Sequence, residues 1–152
     1  MFHHIKSIKD RIHTRWELRR VKCGKDTLVF GHINITSRRD LKIGSNCRIN
    51  NNVLLNSSYG IVLGNNVTLS SNCSLISNSL DLKEWKIGNR LHCGKRITIG
   101  DDVWVCAGAV ILPGVTISGK NVVVGAGSVL THDITENNCV YAGNPAKLIK
   151  TL

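Results

Sequence analysis

Small aliphatic side chains recur every six residues along most of this chain. Ile99, Val105, Ile111 and Ile117 carry the beat most clearly, and four places after each stands a second set, Val103, Ala109, Val115 and Asn121. Upstream the beat runs through Cys23, Val29 and Ile35, then Ile43, Ile49 and Leu55, then Leu63, Leu69 and Leu75. Steps of six within a set and eight between sets give a period of twenty residues. A constant step of this kind predicts a solenoid in which each turn is one small unit stacked on the last. Three short strands per turn, with two extra residues bulging at one corner, account for the count. A sandwich of short strands with polar turns is the competing architecture, but it requires no constant step. Gly44, Gly64, Gly100 and Gly125 follow inward aliphatics and are expected at corners with positive φ, and Asn46, Asn66 and Asn72 are expected in the remaining turns.

Two stretches break the beat. From Ile5 to Arg20 the apolar residues Ile5, Ile8, Ile12 and Trp16 recur at helical spacing, which predicts an amphipathic helix whose stripe caps the open first turn of the coil. A lipid-facing role for that helix is the alternative. Between Leu75 and Ile97, residues 76–96 form a polar insertion, the place to expect substrate contacts. The expected organisation is a helical cap at 1–20 and one solenoid domain at 21–152, with the extruded loop 76–96 and a closing segment 131–152.

Composition narrows the class. The 152 residues carry a net charge of +10, concentrated in the first forty, which favours anionic partners such as a phosphate-bearing cofactor or a lipid-pyrophosphate-linked glycan. Aromatics are 5% of the chain and no nucleic-acid-binding motif is present, so nucleic acid is not expected. Six dispersed cysteines without a C-x-x-C pair predict reduced thiols and no metal site. No apolar run spans a bilayer, and the expected setting is the cytoplasm, with a peripheral position at the inner membrane face as its variant.

The segment 97–150, ITIGDDVWVCAGAVILPGVTISGKNVVVGAGSVLTHDITENNCVYAGNPAKLIK, resembles the C-terminal pattern of the hexapeptide-repeat acyltransferases, in particular the maltose and galactoside type of sugar O-acetyltransferase. The looser repeat from Cys23 extends the resemblance to about four-fifths of the chain. It implies an all-β, left-handed parallel β-helix, acetyl-CoA as acyl donor, a sugar or polysaccharide hydroxyl as acceptor, and a homotrimer whose active sites lie between adjacent coils. The outward residues expected to meet in that trimer are Val53, Val67, Val103 and Trp104.

Direct transfer to a hydroxyl requires a base and a track for the pantetheine arm. The family's catalytic His precedes the Asp or Pro at the start of the extruded loop. In the matching string Ser77, Asn78, Ser79, Leu80, Asp81 that place belongs to Leu80, which carries no proton. The family's acidic partner, one turn earlier, corresponds to Asn56 in LLNSSYG. The expected catalytic set is therefore His92, in the same loop, with Asn56 and Asn78; His32 is a second candidate base. A catalytically silent CoA-binding or assembly protein is the alternative. Trp85 and Trp104 are the expected acceptor contacts. Trp104, Ala107, Gly108, Gly125 and Ala126 are expected along the cofactor track. By resemblance, Lys147 and Lys150 stand near the cofactor's phosphates, where relatives close the coil with a strand and a short helix.

Overall fold

A computed structural model describes residues 8–83 and 90–152. Its strands form three parallel faces that wind as a left-handed coil. The first face stacks Lys22–Cys23, Leu41–Ile43, Ile61–Leu63, Ile97–Ile99 and Thr116–Ile117. The second stacks Leu28–Val29, Arg48–Ile49, Thr68–Leu69, Val103–Val105, Val122–Val124 and Cys139–Gly143, with Ala146–Thr151 turning back antiparallel at its end. The third stacks Ile33–Ile35, Val53–Asn56, Ser74–Ile76, Val110–Ile111 and Val129–Leu130. The pairing of Ile43 with Leu63, Leu63 with Ile99 and Ile99 with Ile117 reproduces the sequence beat as a column.

The three-residue strands of the first and second faces turn their first and third side chains inward. Val53 and Leu55, Val67 and Leu69, and Val103 and Val105 are all buried. Val53, Val67 and Val103 are thus core residues rather than outward trimer contacts, because side chains alternate along a strand and each lies two places from an inward aliphatic. Trp104, between two buried valines, points out and is 49% exposed. Asn121 is also not inward. It is exposed at φ 56, and the inward pair is Val122 and Val124, so this turn carries one extra residue.

The corner glycines serve a different purpose from the expected one. Gly44, Gly64, Gly100 and Gly125 have no positive φ; the left-handed corner positions belong to Asn46, Asn52, Asn66, Asn72, Asp102 and Asn121 among others. A Cβ on Gly44 would collide with the carbonyl of Gly64, and one on Gly64 would lie 2.7 Å from the Gly100 carbonyl carbon. These glycines are required where one turn rests directly on the next. Gly44→Ala is expected to cost about 2–3 kcal/mol, the upper part of the range usual for overpacking, and to lower the unfolding temperature by roughly 5–10 °C, measured by calorimetry. The stacked asparagines add side-chain rungs, Asn52 to Asn72 at 2.7 Å and Asn66 to Asp102 at 2.9 Å.

The helix Ile8–Glu17 covers the edge of the first turn, but with its polar face. Thr14 Oγ1 accepts the Val29 amide at 2.9 Å, and His13 Nε2 donates to the Gly31 carbonyl at 2.8 Å. Glu17 and Leu18 are buried against the coil, whereas Ile8, Ile12 and Trp16 are 78%, 65% and 58% exposed. The apolar stripe is therefore not what caps the coil. Capping uses hydrogen bonds because the open edge presents unpaired backbone groups, which an apolar stripe cannot satisfy. Among the described residues no helix is long and apolar enough to cross a membrane.

Candidate active site

The insertion leaves the corner between the third and first faces, the same corner that carries the two extra residues in earlier turns. Its described ends form an antiparallel pair, Asn78–Leu80 against His92–Gly94. In this pairing His92 stands directly opposite Leu80. The backbone bonds fall at the flanking pairs, with Asp81 N donating to Leu91 O and Lys95 N to Ser77 O. Leu80 and His92 are consequently a non-hydrogen-bonded pair, whose side chains share one face with Cβ atoms about 4.5–5.5 Å apart. An imidazole thus stands on the facing strand, across from position 80.

Asn78 lies on the same face of the hairpin, opposite Gly94. Asn56 sits at the hairpin's root, where its carbonyl accepts Ser77 N at 2.9 Å and Ser77 Oγ at 2.7 Å. Its side-chain oxygen accepts Thr36 Oγ1 at 3.2 Å and Ser58 Oγ at 3.1 Å. Asn56 supports the hairpin base, and no hydrogen bond joins it to His92 among the described residues. Trp85 lies outside the described residues.

The expected cofactor residues lie on another corner, between the second and third faces. Strand register places His32, Asn52, Asn72, Gly108 and Gly127 in one column, and Gly31, Asn51, Ser71, Ala107 and Ala126 beside it. Asn52, Asn72, Gly108 and Gly127 all have φ between 59 and 68. From the second turn on this column demands a left-handed residue, which asparagine supplies at 52 and 72 and glycine at 108 and 127, while in the first turn that residue falls one place earlier, at Gly31 with φ 89. Conformation explains why Asn or Gly stands there; it does not explain the change to Gly. A Cβ on Gly127 would meet nothing within 4 Å, and one on Gly108 would meet only Gly127 at 3.9 Å. The last two turns therefore have a side-chain-free strip, with Ala107 and Ala126 exposed along it. Gly125 belongs to packing rather than to this surface, since its Cβ would lie 2.8 Å from Ala142 Cβ.

Trp104 leans toward this corner, its Nε1 donating to Ser70 Oγ at 2.9 Å. Lys147 and Lys150 are exposed on Ala146–Thr151, which is a strand where the resemblance implied a short helix. His132 stands near this end, edge-on to Tyr141 with centroids 5.9 Å apart. At the opposite end, His32 is strapped to the helix, with Nδ1 3.1 Å from Glu17 Oε1. Arg38 donates to the Glu17 carbonyl and completes the strap. The cysteines are all free, and burial pushes the Cys73 thiol up to about 12, leaving it unreactive at neutral pH.

Position by position the chain matches the family described as "Bacterial transferase hexapeptide (six repeats)" over residues 96–132. Its fold superposes on a hexapeptide-repeat acetyltransferase from Vibrio cholerae complexed with acetyl coenzyme A, with a TM-score of 0.86, 26% identity, and coverage of 97% of this chain and 80% of that one. In its repeats and its fold the chain is similar to the hexapeptide-repeat acyltransferases. Against a galactoside acetyltransferase in complex with coenzyme A the TM-score is 0.78 at 32% identity, covering 86% of this chain and 64% of the other. The Escherichia coli galactoside O-acetyltransferase is 36% identical over 129 residues, which are 85% of this chain and 63% of that protein. A putative acetyltransferase of Saccharomyces cerevisiae is 55% identical over 56 residues, 37% of this chain and 28% of its own length. The chain thus spans less than two thirds of the length of these curated relatives.

Proposed function

We propose that this protein transfers an acetyl group from acetyl-CoA to a hydroxyl of a sugar or polysaccharide unit, and that it does so as a homotrimer, with the helix Ile8–Glu17 as a cap on the coil. Residues 1–7 of the expected cap lie outside the described residues. The observation that carries the reading is the pairing of His92 with Leu80. It keeps an imidazole on the hairpin face where the family has its base, and so favours an active enzyme over a silent scaffold.

The strip at Gly108 and Gly127 fits a pantetheine arm by shape, because both glycines are exposed and nothing stands over them, while their amides are spent between turns on Ser71 O and Ala107 O. Ala107 and Ala126 flank the arm, Trp104 offers an aromatic wall beside the arm or the acceptor, and Lys147, Lys150 and His132 serve the phosphates as charges or donors. When bound, acetyl-CoA supplies an activated thioester. His92 takes the proton of the attacking hydroxyl as the new C–O bond forms, and returns it to the thiol released when the C–S bond breaks. No covalent intermediate on the protein is needed.

His92 and the strip lie on different corners of one triangular coil, separated by a face of about six residues, up to roughly 20 Å of chain. A neighbouring copy that brings its hairpin to this chain's strip closes the gap, which is the argument for the trimer. Light scattering is expected to give three times the chain mass at micromolar concentration; a monomer under those conditions removes the shared site. Release of free CoA from acetyl-CoA, measured with a panel of sugars, tests the transfer itself. Saturable CoA binding without release for any acceptor favours the silent scaffold.

Six free cysteines support a reducing, cytoplasmic setting. Ile8, Ile12 and Trp16, exposed beside Arg11, Arg15 and Arg19, support a peripheral approach to an anionic membrane surface.

A further inference from the structure

A cleft of about 430 Å³ opens at the foot of the His92 hairpin, lined by Arg39, Lys42, Arg96, Asp40, Ser58 and Tyr59 among others. Three cations face one carboxylate there, and the Asp40 carboxylate already accepts the Ser37 hydroxyl at 2.5 Å. No ion pair of Arg39, Lys42 or Arg96 with a carboxylate is present among the described residues. Their charge is left for a ligand. Converging cations of this kind, two of them guanidinium forks, match a phosphate or diphosphate better than a single carboxylate.

The cleft is joined to the candidate base by the hairpin itself. A Cβ on Gly94 would lie 2.5 Å from Tyr59 Cδ2, so the Tyr59 ring is packed against the bare backbone at that point. Gly94 and His92 are two places apart on one strand and share a face, so the imidazole projects on the cleft side about 7 Å farther along. A sugar phosphate is of the size to reach from the cations to the imidazole, with Tyr59 as an apolar wall against which a sugar ring packs.

We propose that this cleft binds the phosphate or diphosphate of a glycosyl acceptor and so presents the acceptor's hydroxyl to His92. The presentation of the hydroxyl rests on the acetyl-transfer reading above; the anion site does not. A sugar 1-phosphate and a nucleoside diphosphate sugar supply the same chemistry, and comparing them as acceptors distinguishes the two sources.

The test is titration with inorganic pyrophosphate, with CoA titrated in parallel. The intact protein is expected to bind pyrophosphate saturably, and Arg39→Gln/Lys42→Gln to weaken it about tenfold or more while CoA affinity is unchanged. Arg15→Gln/Lys25→Gln removes the same charge near the helix and is expected to change pyrophosphate binding little. Equal weakening by both pairs, parallel loss of CoA affinity, or no saturable pyrophosphate binding by the intact protein each overturns the proposal. In turnover assays the KM for glucose 1-phosphate is expected to rise in the cleft variant and that for free glucose to stay put. Pyrophosphate binding lost in the cleft variant of a protein that releases no CoA upholds the anion site and removes only the transfer reading.

Discussion

Replacing His92 by alanine is expected to lower kcat for sugar acetylation by about 100-fold or more, since a positioned general base typically supplies 10² to 10⁴. CoA affinity, read by calorimetric titration, is expected to stay within about twofold, because the imidazole acts on the attacking hydroxyl whereas the strip at Gly108 and Gly127 holds the pantetheine arm. The geometry allows a sharper comparison. Leu80 and His92 occupy one non-hydrogen-bonded pair, so His92→Leu combined with Leu80→His moves the imidazole across the hairpin by only about 5 Å. The exchanged protein is expected to be more active than His92→Leu alone. Full activity in His92→Ala, or no gain on exchange, removes the imidazole from the chemistry and leaves approximation of donor and acceptor as the source of rate.

The position of His92 opposite Leu80 was not legible in the sequence. Residues 81–91 separate the two, and which residue faces which depends on where the hairpin turns, a register that no local pattern fixes. The solenoid was legible because its core columns repeat with the same residue types, from Ile43 to Ile117 and from Ile49 to Val124. Misplacing Val53, Val67 and Val103 came from following the step of six and overlooking the step of two: each precedes a buried aliphatic by two residues, and alternation alone turns it inward. The glycines illustrate a different limit. Gly44 and Gly108 look alike as letters, yet Gly44 is required by the carbonyl of the next turn, whereas Gly108 has a φ of 68 that asparagine also adopts at this corner and opens onto free space. The helix stripe misled because apolar periodicity reports a face and not its partner, and the coil's edge offered hydrogen bonds that Thr14 and His13 meet. The basic cleft had a signal in the period: Arg39 and Tyr59 are twenty residues apart and fall at equivalent places in successive turns.

The strip at Gly108 offers the second large effect, because the chain itself supplies the control. Asn72 occupies the equivalent place one turn earlier with φ 63, against 68 at Gly108. Gly108→Asn therefore asks the backbone for nothing that asparagine does not already provide at this corner, and its side chain enters open space rather than a neighbour. The unfolding temperature is expected to move by no more than about 2 °C, since an exposed substitution without strain falls within about 0.5 kcal/mol. CoA affinity, by contrast, is expected to drop about tenfold or more, a loss of roughly 1.4 kcal/mol, because the new amide stands where the pantetheine arm lies along the backbone. Gly127→Asn, on the same column one turn later, is expected to behave likewise. Gly108→Asn with unchanged stability and unchanged CoA affinity leaves the change from asparagine to glycine without a ligand to explain it, and places the donor elsewhere on the coil. A loss of affinity at constant stability assigns the bare corner to the pantetheine arm, since folding alone is satisfied by either residue.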